Sequence, residues 1–326
     1  MGGGSYSADF YAHRAKSKAA SGMSTFDYDY DVKSGTKAFK VHEKLDPNGV
    51  TREARDSVDH PDSIAIAVMF DVTGSMREIP QLLQKKLPQL NGLLVRRGIV
   101  KDPQVMFGGI GDATCDKVPV QIGQFESDNR MDEVLERFVL EGGGGGQNTE
   151  SYELGMYFLA RKVVADCWEK RGKKGYAFFI GDERYYDHVN KDEVLRIFGD
   201  KIQKNIPIDE IVTELKEHWT PFFIIPRGAS HGTADWLLQA WRKVFGGQNV
   251  IYLDDPNAVC EAIVGAIGLA EGTIDDVEAD LTAAGVDSAT AKSAARGLDP
   301  MSKAMIKVAT GSLPEKSDRS RKVERL

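Results

Sequence analysis

Five short apolar runs between residues 63 and 254 limit the fold of this chain more than any other feature. "SIAIAVMF" ends at Asp71, "QVMFGGIGD" at Asp112, "YAFFIGD" at Asp182, "PFFIIP" at Pro226 and "VIYL" at Asp254. A strand apolar on both faces needs cover on both, and a mostly parallel sheet sandwiched between helices provides it. "VPVQIGQF" instead alternates apolar and polar residues, and it follows the second run closely enough to pair with it as an antiparallel edge. Amphipathic stretches separate the runs. Ile79, Leu82, Leu83, Leu87, Leu90 and Leu94 share one helical face, with Pro80 suited to the first turn and Pro88 expected to kink the middle. Tyr152, Met156, Leu159, Val163 and Cys167 mark a second helix, and "PNAVCEAIVGAIGLA" a third. The alternation predicts an α/β domain over 61–270, a doubly wound, mostly parallel sheet with one antiparallel edge strand.

The flanks read differently. Residues 1–60 are rich in Gly, Ser, Asp and Lys and read as a partly irregular N-terminal extension, in which "FKVHEKLDPNGVT" could form a hairpin or packing arm. Residues 271–310 read as a C-terminal helical segment capping the main domain, with a faint likeness to a ubiquitin-associated module in "AAGV". Residues 311–326 read as a flexible tail.

Composition excludes several function classes. No apolar run approaches the roughly 18 residues of a membrane span, and the first twenty residues have no apolar core for secretion, so a cytoplasmic location is expected. The formal net charge of -7 argues against general nucleic-acid affinity, which depends on Lys and Arg meeting phosphates. Cys115, Cys167 and Cys260 form no CxxC pair, so neither a disulfide framework nor a zinc ribbon is indicated.

Ligands of open α/β sheets sit beyond the carboxyl ends of the strands, where the aspartates stand. Asp71, Thr73 and Ser75 are expected in the loop leaving the first strand, with alternate side chains aimed the same way. Three oxygens in so short a loop suit a hard divalent cation, although an isolated loop of this kind is more often a helix cap. Taken alone, Thr149 could be a helix N-cap, and Asp182 could start a turn or pair with an arginine. Asp112 offers at most a supporting carboxylate. "RGASHG", 227–232, could line the same rim or simply cap a helix, and Asp187 and His188 read as a solvated turn.

Together these residues resemble the metal-ion-dependent adhesion site of von Willebrand factor A domains. The D-x-[ST]-x-S element is matched by Asp71, Thr73 and Ser75, with Thr in the middle place. Thr149 in "EGGGGGQNTESYELG" matches the threonine of a glycine-containing loop, and Asp182 in "FFIGDE" matches the later strand-end aspartate. The likeness covers 61–270. It implies an intracellular domain binding Mg²⁺ or Mn²⁺ through Asp71, Thr73, Ser75, Thr149 and Asp182, with one coordination position left for an Asp or Glu of another protein. The implied partners include AAA+ ATPases and stress-response assemblies; nucleic acid and membrane are not among them. The glycine run 142–146 and Thr149 would act as a gate on that capture. Competing classes are a Mg²⁺-dependent hydrolase or phosphatase and a structural subunit with a vestigial site. The hydrolase is disfavoured because Thr73 stands where haloacid-dehalogenase-type phosphatases carry a second aspartate, and no nucleophile and base pair accompanies the metal.

Overall fold

The computed structural model describes residues 26–309 except 77, 97, 143–145 and 147, together with 7, 9, 13, 16 and 17. The expected tail at 311–326 and most of the glycine run lie outside the described residues.

Each apolar run is a strand. The central sheet comprises β1 (Ser63–Asp71), β2 (Asp102–Ile110), β3 (Val120–Ile122), β4 (Gly175–Ile180), β5 (Trp219–Pro226) and β6 (Val250–Leu253). Its order is β6-β5-β4-β1-β2-β3, and every pairing is parallel except that of β3 with β2. Chain order therefore runs one way from β1 through β3 and the other way from β4 through β6. The reversal falls between β1 and β4, which pair from Ile66 opposite Tyr176 to Phe70 opposite Ile180.

All nine residues of β1 are buried, and they divide alternately between two cores. Ile64, Ile66, Val68 and Phe70 face one core, shared with the helices α1 (Ile79–Arg96) and, later in the chain, Val259–Glu271. Ala65, Ala67 and Met69 face the other, shared with α2 (Tyr152–Arg161), α3 (Ile208–His218) and α4 (Asp235–Phe245). Helices cover both faces because neither face could be left to water. The result is a mixed α/β, Rossmann-like arrangement around a mostly parallel six-stranded sheet.

The helix α1 runs from Ile79 to Arg96 and includes Pro88. One helical expectation needs correction. The helix α2 stops at Arg161, so Val163 and Cys167 do not extend its face. The β-branched Val163 and Val164 suit extended backbone, and they pair in parallel with Arg52–Ala54. That pairing ties the N-terminal extension into the molecule, as does the burial of Phe26, Leu45 and Ala54.

The C-terminal segment is integral to the core. After α5 (Val259–Glu271) come α6 (Val277–Ala283) and α7 (Ser288–Ala309), and Leu281, Val286, Ala294 and Leu298 join the first core. Close approach explains Gly297: a Cβ there would meet Tyr252 O and Ile251 Cγ2 at 3.0 Å. The last helix packs on β6.

Candidate functional site

The reversal between β1 and β4 brings Asp71 and Asp182 to neighbouring strand ends, where a crevice opens in sheets of this order. Asp71 is the last residue of β1 and wholly buried, so it belongs to the strand and not to the loop after it. Its Oδ1 accepts the Thr73 N–H at 2.7 Å and also the Thr73 hydroxyl, folding the chain back at once. Gly74–Met76 is a single 3₁₀ turn, which replaces the expected extended loop and places the Ser75 hydroxyl 3.1 Å from that of Thr73. Asp71, Thr73 and Ser75 thus form one connected group. Gly74 permits a close backbone approach: a Cβ there would stand 2.9 Å from the carbonyl oxygen of Gly142, at the head of the glycine run.

Tyr152, the first residue of α2, donates its phenolic hydrogen to Asp71 Oδ2 at 3.2 Å. Its ring lies edge-on to Phe223 and Trp241, so the hydroxyl is held from below by packing. The phenol passes over Gly181, where a Cβ would meet it at 1.7 Å. Only glycine fits between the strand end and Asp182 without displacing Tyr152.

Asp182 follows β4 and is wholly buried. Its Oδ2 accepts the His231 main-chain N–H at 2.8 Å, while its Oδ1 has no hydrogen-bond partner in the protein. The 227–232 loop therefore does line this rim, and Ser230 donates its N–H to Ser75 O at 3.2 Å. The sequence alone leaves this loop undecided because its residues gain meaning only beside Ser75 and Asp182.

Thr149 is placed differently from expectation. It lies in the two-residue strand Thr149–Glu150, paired in parallel with Arg184–Tyr185, and does not open the helix. Ser151 is the N-cap residue of α2, and its hydroxyl is turned away to accept the Ala113 N–H at 2.9 Å. Among the described residues no hydrogen bond joins Thr149 to Asp71, Thr73, Ser75 or Asp182.

Two acids that the sequence did not single out stand beside Asp71 and Asp182. Glu150 and Glu183 are both buried, and Glu150 Oε2 and Glu183 Oε2 have no hydrogen-bond partner. Both follow residues already singled out, but only burial distinguishes them from solvated glutamates. Burial, reinforced by the charge of Asp182 and Glu183, pushes the Asp71 carboxyl up to about 8 despite the bonds from Thr73. Burial and the charges of Asp71 and Glu183 push Glu150 up to about 12. Burial and Asp182 push Glu183 up to about 7, with a hydrogen bond from Glu150 working the other way. Every shift has the sign expected of acids gathered without a counter-cation.

Asp112, at the end of β2, repeats the Asp71 turn. Its Oδ1 accepts from the Thr114 N–H at 2.9 Å and hydroxyl at 2.7 Å, and the Tyr186 phenol donates to it at 3.0 Å. It is a satisfied carboxylate behind the crevice. His188 is exposed on the two-residue strand His188–Val189 and takes no part in the group described.

Among the described residues no helix is long and apolar enough to cross a membrane. No protein-family model matches the chain, and no curated protein matches it. Among solved structures, 68% of the chain is similar to the pilus adhesin SpaC from Lactobacillus rhamnosus GG in its open conformation, at 10% identity and a TM-score of 0.46. The chain spans 31% of that protein's length. It is also similar over 68% of its length to proximal thread matrix protein 1 from the mussel byssus, at 12% identity and a TM-score of 0.43, covering 48% of that chain.

Proposed function

We propose that this chain is a doubly wound domain of the von Willebrand factor A type, and that it binds proteins through a divalent cation. The ligands are Asp71, Thr73, Ser75, Thr149 and Asp182, and the cation is Mg²⁺ or Mn²⁺. One observation carries the reading: buried carboxylates converge at the sheet's reversal, and Asp182 Oδ1, Glu150 Oε2 and Glu183 Oε2 have no donor in the protein. A buried anion without a donor costs more than most folds tolerate, and a divalent cation is the group that satisfies several at once. Hard oxygen donors of both kinds, carboxylate and hydroxyl, fit such an ion.

The bound ion would supply positive charge at an incompletely filled coordination shell. The chain's own residues then have separable tasks. Asp71 orders the Thr73 and Ser75 hydroxyls through the turn it closes. Tyr152 keeps the Asp71 carboxylate from rotating, and the 227–232 loop, through Ser230 and His231, ties the β1 turn to Asp182. Two carboxylates and neutral hydroxyls leave room for one more anionic ligand, which an Asp or Glu of a partner protein provides. AAA+ ATPases and stress-response assemblies in the cytoplasm are the partner classes this kinship implies.

Calorimetry with Mg²⁺ and Mn²⁺ tests the reading first. Binding of one such ion to the wild type, lost in Asp71→Asn, supports it, and absence of binding to the wild type ends it. Affinity capture in Mg²⁺ and again in EDTA then asks whether an acidic partner depends on the ion.

A further inference from the structure

A second ligand group shares Asp182 with the first. Asp182, Glu183 and His231 each offer a ligand atom, and these atoms lie within 4.8 Å of one another. His231 Nδ1 stands 3.7 Å from Asp182 Oδ2 and 3.6 Å from Glu183 Oε1. Both separations are too long for hydrogen bonds. They lie close to the roughly 3.0–3.4 Å that separates neighbouring ligands around an ion at about 2.1 Å. We propose that these three side chains hold a first-row transition cation of the Mn²⁺ or Zn²⁺ kind at a position of its own.

The orphaned atoms are the independent sign. Asp182 is wholly buried and Glu183 nearly so, and Asp182 Oδ1, Glu183 Oε2 and His231 Nδ1 have no hydrogen-bond partner in the protein. Each of the three side chains therefore carries a polar atom that the protein leaves without a partner. The nitrogen decides the chemistry. Carboxylates alone would suit Mg²⁺ or Ca²⁺, whereas an imidazole shifts preference toward Mn²⁺, Zn²⁺ and their neighbours.

His231 is also fixed well enough to act as a ligand. Its N–H is bonded to Asp182 Oδ2, and its ring lies against Trp236 with centroids 5.8 Å apart. The side chain keeps 34% of its surface exposed, so an ion has a path from solvent. Asp182 is common to this group and to the proposed Mg²⁺ ligands, while Glu183 and His231 belong to this group alone. The rival arrangement is a protonated imidazole standing between two carboxylates.

The test uses the full chain with Mn²⁺ and Zn²⁺. Electron spin-echo spectra of the Mn²⁺-loaded protein should carry modulation from a directly bound ¹⁴N, absent in His231→Ala. In calorimetry, His231→Ala and Glu183→Gln should each lower Zn²⁺ affinity at least tenfold more than Mg²⁺ affinity, and Ser75→Ala should show the reverse preference. If His231→Ala does not fold, Glu183→Gln and the wild-type spectrum carry the test. Mn²⁺ bound without nitrogen modulation, or no Mn²⁺ or Zn²⁺ binding at all, overturns the site in favour of the ion pair. Nitrogen-coupled Mn²⁺ together with no measurable Mg²⁺ binding would uphold this site and reject the hydroxyl-loop reading.

Discussion

The two ends of the central sheet handle the same residue types in opposite ways. At the amino end, Asp56 accepts from both guanidinium nitrogens of Arg171 at 2.8 and 3.1 Å, from the Ser63 hydroxyl at 2.7 Å and from Lys170 at 3.2 Å. Asp166 accepts from Arg55 at 2.9 Å and from the Asp56 N–H at 2.8 Å. Burial raises both acids, but these donors overcome it and hold each below the usual carboxylate range. At the carboxyl end, Asp71, Glu150 and Glu183 are raised, and among the described residues no Lys or Arg forms an ion pair with them. Acids that serve the fold are given cations within the chain. Acids gathered without one are a cost the fold bears for something outside itself.

The largest effect should come from breaking the satisfied end. Arg171→Ala removes both guanidinium bonds to Asp56 and also takes a hydrogen bond from the Ser63 carbonyl, so stability should fall by about 3 kcal/mol. Urea unfolding measures it. A loss under about 1 kcal/mol would place this cluster with ordinary surface pairs and weaken the contrast.

At the other end, the same kind of change should spare the fold and remove a ligand. Asp71→Asn keeps the shape and an acceptor for Thr73 while removing a charge that burial already disfavours. Mg²⁺ affinity should fall about a hundredfold, or ~2.7 kcal/mol, with the cation-free melting temperature unchanged or higher. Lower stability together with unchanged affinity would make Asp71 a structural acid like Asp56.

Acid titration should reveal the amino end by its sign. Asp56 and Asp166 are depressed in the folded chain, so the folded state binds fewer protons than the unfolded one. Their contribution is complete above the ordinary value of 3.8 and is lost as pH falls below it toward the folded values. Melting temperature should therefore drop between pH 5 and pH 3, and Asp56→Asn should flatten the drop at the expense of stability at pH 7. An unchanged slope in the variant would show that other acids control acid unfolding.

The sheet was legible in the sequence because a strand buried on both faces has almost no polar freedom, and β1, β2, β4, β5 and β6 announced themselves in that way. Even the antiparallel β3 was visible, since its alternation differed from its neighbours. What the sequence could not show was assembled by contact. His231 reaches Asp182 only through the loop after the neighbouring strand β5, and nothing in the local sequence of Glu150, Glu183 or His231 separates them from exposed residues. The end of α2 was misplaced for a related reason: Val163 continues the helical period, but Arg52–Ala54 offers it a strand partner from more than a hundred residues away. By sequence alone Thr149 could be the helix N-cap. Ser151, two residues on, takes the N-cap position, and that left Thr149 to the short pairing with Arg184.

The smallest effect tests the contrast most finely, because it should carry the opposite sign to that at Asp56. Glu153, one residue beyond Tyr152 in α2, is wholly buried; Oε2 accepts the Tyr186 N–H at 3.2 Å and Oε1 has no partner. Burial drives its carboxyl well above the ordinary value of 4.5, with the Tyr186 N–H and its own N–H opposing. The folded state therefore holds a proton that the unfolded chain releases, and stability is fully present below 4.5 and declines as pH rises toward the folded value. Glutamine keeps an acceptor for Tyr186 and cannot ionise. Glu153→Gln should thus match the wild type near pH 5 and exceed it by a margin that widens toward pH 8, so that its advantage grows with pH where that of Asp56 fades with acid. Melting curves of both proteins from pH 5 to pH 8 decide it. A variant weaker than the wild type at every pH would mean that Glu153 is ionised and has a cation of its own, and the two ends of the sheet would then differ less than their geometry indicates.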